Sequence, residues 1–231
     1  MKRFWTTAEA VAEDGGWAVR LDKRPLRTPG RAALLVPTEA LAKAIAHEWA
    51  TAGDTVRPGA MPLTGRANAA IDRVAPDRAA FAADLARYAE ADLACYRAEG
   101  PETLAARQQQ SWDSLLGWAR RRFDVDFAVT TGIVHVAQPK PTVDRLAHEV
   151  AALDGFRLAG LSPLVTIGGS LVAALAMLEG ALTPLDAWDA VSIDERWQIE
   201  KWGSDAEAEL AIANRRRDFL AAARFLELLG S

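Results

Sequence analysis

The sequence predicts an α+β protein, with a small N-terminal β-rich unit followed by a larger, mainly α-helical domain. Three observations carry that prediction. Residues 17–21 alternate apolar and polar side chains with the period of a half-buried strand. From Pro37 onward, apolar residues recur every three or four positions, the period of a helix. No repeat, low-complexity tract or flexible linker interrupts that helical stretch. The β-rich unit is expected over residues 1–37, reaching at most to about 60, and the helical domain over 38–231.

Each element has a local reason. Trp17, Val19 and Leu21 share one face of a strand. Asp22-Lys23 turns the chain, Arg24 to Thr28 returns, and Pro29-Gly30 breaks it before a third short strand at Ala33–Val36. Pro37-Thr38 opens a helix with Leu41, Ile45 and Trp49 in one stripe, ended by Gly53. Thr64 is expected to cap a short helix carrying Ala67 and Ile71, and Pro76-Asp77 to start another with Phe81, Leu85 and Tyr88. Pro101 suits a first helical position ahead of a long helix through Leu104, Leu115, Ala119 and Phe123. Asp126 to Ala137 returns to period two around Thr130-Thr131-Gly132, which predicts a hairpin. Further helices are expected at Val143–Leu153, Leu164–Leu178, from Thr183-Pro184, at Ile193–Trp202, and from a Ser204 cap to Leu229.

Composition narrows the functions available. Half of the 231 residues are hydrophobic, a quarter are charged, and the net charge is −4, as in a globular protein with a sizeable core. That charge leaves no basic footprint for nucleic acid, and Arg120–Arg122 and Arg215–Arg217 read as solvated helix faces. Cys95 is the one cysteine, which rules out an intrachain disulfide and a cysteine-built zinc site and suits a reducing compartment. Met1 to Trp5 shows neither a signal-peptide core nor a presequence; taken as the start, it predicts action in a bacterial cytoplasm. Leu164–Leu178 is too short for a bilayer span and reads as a buried helix, so no membrane insertion is expected.

Catalytic patterns are missing. His47, His135 and His148 lie in no zinc-protease spacing. Gly168-Gly169-Ser170 lacks both the phosphate-loop lysine and the nucleophile elbow, and reads as close helix packing. Cys95 reads as a buried structural thiol. Asp84, Glu90 and Asp92 could pair as acid and base, but 31 acidic residues make such spacings commonplace. The eight tryptophans stand out more. Most fall on helices where burial is the default, whereas Trp5 and Trp202 have positions that suit partial exposure to a partner.

Several stretches, in order along the chain, resemble the Atp12 family of ATP synthase assembly chaperones. They are Phe4-Trp5, Asp14–Trp17, Leu26–Pro29, Val36–Thr38, Glu48-Trp49, Met61–Thr64 and Ala69–Asp72, then Asp92–Glu102, Gln109–Asp113 and Trp197–Gly203. The chain departs from the family pattern at Gly65 and at Arg196, which stands where an acidic residue is expected. The resemblance implies a chaperone of the F1 sector that binds the unassembled α subunit until β replaces it. It implies a bacterial, alphaproteobacterial-type member with no catalytic residue, cofactor, metal or small-molecule substrate. Glu195, Gln198, Trp202 and Asp205, around the end of the matched helix, are expected to form the partner-binding surface, with Trp5 as a further candidate. The competing readings are a hydrolase or transferase with an unrecognised carboxylate site, and a helical scaffold for an unrelated partner.

Overall fold

A computed structural model describes residues 2–230. It divides into two compact units that do not follow a cut near residue 37. The first holds the chain up to Arg78, Asp154–Gly160 and the end of the chain from Arg224; the second holds Ala79–Leu153 and Leu161–Ala223. The difference arises because the first helix packs on the sheet as its cover, which short strands need, and the second packs on the first.

In the first unit, β1 (Ala8–Glu13) and β2 (Gly16–Leu21) form an antiparallel hairpin, Ala8 opposite Leu21 and Glu13 opposite Gly16. β1 was not expected from the sequence. At the turn, Gly15 has φ 84°, and a Cβ on Gly16 would lie 2.6 Å from the Val36 carbonyl oxygen, so Asp14-Gly15-Gly16 admits little else. The other edge of β2 pairs with β3 (Arg24–Pro25) and β4 (Leu35–Val36). Asp22 and Lys23, with φ 46° and 72°, turn between β2 and β3 as the sequence suggests. Backbone N–H groups of Thr7 and Thr6 donate to the Asp22 carboxylate and hold it below the usual carboxylate range.

α1 (Glu39–Ala50) starts at Thr38, whose hydroxyl accepts from the Leu41 amide, and buries Leu41, Ile45 and Trp49. It ends at Thr51, before Gly53. Trp5 lies in this core at 3 % exposure, its indole N–H donating to the Trp49 carbonyl and its ring edge-on to Trp49. The expectation that Trp5 is offered to a partner is therefore corrected: near the sheet its large apolar surface is worth more inside than out.

Thr64 does not cap α2 (Pro62–Ala69). It sits inside the first turn, and the cap comes from α1, where the Glu48 carboxylate accepts from the Leu63 and Thr64 amides and the Thr64 hydroxyl at 2.7–2.9 Å. Glu48→Ala is expected to lower stability by about 1–3 kcal/mol, because three donors lose their acceptor. Urea unfolding checks this, and a change under about 0.5 kcal/mol would refute the capping role. The helical path continues through turns at 70–77 into α3 (Arg78–Ala86).

The second unit is organised by α4 (Glu102–Phe123), which packs against α7 (Leu171–Leu178), α8 (Pro184–Val191) and α9 (Ile193–Trp202). Pro101 is the residue before the first turn of α4 rather than within it. Trp112 donates its indole N–H to the Ala190 carbonyl, and buried Gln108 bridges the Ala98 amide and the Asp194 carboxylate. α5 (Lys140–Ala152) packs on the 87–91 turn, and α6 (Gly155–Gly168) and α10 (Ala206–Leu229) run on from it in sequence.

The hairpin expected over 126–137 is absent. Thr130–Thr131 (β6) instead pairs in parallel with Tyr96–Arg97 (β5), since the neighbouring chain satisfies those backbone groups sooner than a tight turn would. The expected helix 164–178 is broken at Gly169, with φ 69°, and Ser170 caps α7. Gly168 packs closely, as expected: a Cβ there would meet Val191 at 3.1 Å. Among the described residues no helix is long and apolar enough to cross a membrane.

Candidate functional site

Positions 195, 198 and 202 are spaced i, i+3 and i+7 and so share one face of α9. The helix stops at Gly203, whose φ of 75° suits glycine, and the chain turns sharply into α10. The four predicted residues in this region play different parts. Gln198 faces solvent. Trp202 is 74 % exposed, its ring edge-on at 5.3 Å to Trp197, which is buried in the unit. The indole N–H of Trp197 has no hydrogen-bond partner among the described residues.

Glu195 is already engaged, accepting from the Arg215 guanidinium at 2.6 Å while the same arginine donates to the Ile167 carbonyl. It joins α9 to α10 and fixes the face on which Gln198 and Trp202 stand. Asp205 caps α10, its carboxylate accepting from the Ala208 amide at 2.8 Å, and this replaces the expected Ser204 cap. Ser204 donates to Glu209 instead. Leu210, a large apolar side chain that the sequence did not single out, is exposed one turn into α10. Arg107 grips Glu200 with both guanidinium nitrogens and draws that carboxyl below its usual range, which ties α9 to α4 on the side away from Trp202.

The residues screened for catalysis have structural work. Asp92 is fully buried and accepts from Ser170 Oγ, the Ala94 amide and the Val172 amide at 2.8–3.0 Å. Burial pushes its carboxyl above the usual range, against the pull of those donors. Burial, and the nearby Asp92, also push the Cys95 thiol up to about 12, so it carries no thiolate at neutral pH. Asp84 faces Arg87, and Glu90 faces His135 and the Gln138 amide, so these carboxyls serve separate partners.

This geometry defines a class first: an α+β protein in which the end of one helix holds an indole in solvent. A family model described as "ATP12 chaperone protein" matches residues 2–120, and the chain belongs to that family. It is similar to the crystal structure of Atp12 from Paracoccus denitrificans at 44 % identity and a TM-score of 0.94, with 99 % of this chain and 98 % of that one covered. A mutant of the same P. denitrificans protein matches equally well, with 97 % of that chain covered. Among curated proteins, the mitochondrial atp12 of Schizosaccharomyces pombe is 25 % identical over 221 residues, 90 % of this chain and 75 % of the relative.

Proposed function

We propose that this protein is an assembly chaperone of the F1 sector of ATP synthase, holding the unassembled α subunit until the β subunit takes its place. The observation that carries the reading is Trp202, three-quarters exposed on a helix otherwise fixed by Trp197, Glu195–Arg215 and Arg107–Glu200. Tryptophan is enriched at binding hot spots, and an indole left in water on a helix held in this way is positioned to meet a partner. An unassembled ring subunit has the complementary problem of an apolar face awaiting its neighbour, and such faces aggregate. Holding requires a surface with affinity low enough for the permanent neighbour to win, and it needs no bond-making step. Membership of the ATP12 chaperone family supports the same reading.

Co-expression with the isolated α subunit tests it. The α subunit is expected to stay soluble and to co-purify with the protein at 1:1, and to be released when β is added. An α subunit that aggregates to the same extent with and without this protein would sink the proposal.

A further inference from the structure

Away from α9, residues 129–136 place Val129, Ile133, Val134 and Val136 in solvent, four of the eight large apolar side chains that the described residues expose. Ile133 is 97 % exposed and Val134 74 %. The segment is nevertheless held at both ends. Buried Gln138 pairs with the Ala128 backbone in both directions, its carbonyl accepting from the amide and its amide donating to the carbonyl. The Gln138 backbone N–H donates to the Glu90 carboxylate, Tyr96 Oη and His135 Nδ1 lie 3.2 Å apart, and the Gly132 backbone N–H donates to the Arg97 carbonyl. Between these ties, the backbone N–H and C=O groups of residues 133–137 make no hydrogen bond to any other described residue. An apolar tip with an unpaired backbone, fixed at its base, is what a strand edge offers to another chain.

Beside it lies a hollow of about 530 Å³ walled by Tyr88, Leu93, Tyr96, Ile133 and Gly169. The one charged side chain on its rim is Arg87, which among the described residues pairs with Asp84, at 3.6 Å, with both groups largely in solvent. Such a pair neutralises little. The hollow therefore suits a large apolar side chain with an acidic residue close to it in sequence.

We propose that residues 133–137 take up an extended segment of the unassembled client by strand addition. The client's backbone pairs with that of Ile133–Ala137, one of its large apolar side chains enters the Tyr88–Tyr96 hollow, and an adjacent carboxylate meets Arg87. A second copy of this chain is the poorer occupant, because Ile133-Val134-His135-Val136-Ala137 contains no acid to place on Arg87. The inference rests on the chaperone reading above but concerns a separate part of the second unit, so a client would be held by an indole at one site and by its backbone at the other.

Amide hydrogen exchange of the full chain, alone and with purified α subunit, reads this directly. Exchange at Ile133, Val134 and Val136 is expected to slow at least tenfold in the complex. Val134→Pro, which deletes one donor from an exposed loop, is expected to weaken the complex about tenfold without changing the melting temperature. Arg87→Glu is expected to weaken it about threefold, and less so in high salt. If exchange at 133–136 is unchanged in a complex that Trp202→Ala still weakens, strand addition is wrong and the chaperone reading stands. If these amides are protected in the protein alone, in proportion to its concentration, the occupant is a second copy and the inference is overturned. If wild-type protein forms no complex with the α subunit, both readings fall together.

Discussion

Asp92→Ala is expected to destabilise the protein by about 3–5 kcal/mol, enough to lower the melting temperature by roughly 10 °C in a chain of this length. Asp92 stands where its own turn meets the start of α7 in the second unit. Its carboxylate accepts from the Ala94 amide in its own turn, from Ser170 Oγ, and from the Val172 amide at the start of α7. All these groups are buried, so alanine leaves three donors without an acceptor and without water to replace it. α7 is hit hardest, since nearly all its residues are buried and its cap, Ser170, is itself oriented by Asp92. Asp92→Asn keeps one acceptor oxygen but turns an N–H₂ group towards a donor, so part of the loss is expected to remain. Because Ser170 and Asp92 share a network, the double mutant Asp92→Ala, Ser170→Ala should cost less than the sum of the singles. Thermal unfolding followed by tryptophan fluorescence provides the measurement. Additive costs, or a loss at Asp92→Ala below about 1 kcal/mol, would show that Asp92 is not the keystone.

The second large effect concerns binding and should leave folding nearly untouched. Trp202→Ala is expected to weaken the complex with the α subunit about 30-fold, the roughly 2 kcal/mol of an aromatic hot spot. Its own stability should move by no more than about 0.5 kcal/mol, since the ring already faces water. Trp197→Ala is the contrast: that ring is buried, and its loss should cost about 3–5 kcal/mol of stability. Trp202→Phe should keep part of the affinity, because a smaller ring can still rest on Trp197. Titration calorimetry with purified α subunit separates these cases. An affinity for Trp202→Ala within twofold of wild type would remove Trp202 from the contact surface.

The α9 site was partly legible in the sequence. The i, i+3, i+7 spacing of Glu195, Gln198 and Trp202, the early acids and Gly203 all state a helix with that face and that end. Which of these side chains remain available was not legible, because an ion pair such as Glu195–Arg215 depends on where α10 returns, and Arg215 lies 20 residues downstream. Trp5, near the start of the sequence, and Trp202, beside a helix-ending glycine, looked alike as candidates for exposure. One has Trp49 of α1 beside it and is buried, and the other stands in solvent.

By itself the sequence determined the α+β class, the periodicity of β2, α1, α4, α5 and α9, the turn at Asp22-Lys23 and the family. Those follow from side-chain spacing and turn chemistry, which are local properties. The tertiary structure alone decided β1, whose Ala-Glu-Ala-Val-Ala-Glu has little strand preference and is drawn into the sheet by β2. It also decided that Glu48 caps a helix other than its own, that Asp92 is a buried acceptor rather than a scattered acid, and that the backbone of residues 133–137 is left without a partner among the described residues. The physical reason is common to these cases: a buried polar or backbone group takes whichever partner the fold brings near, and that partner can lie tens of residues away.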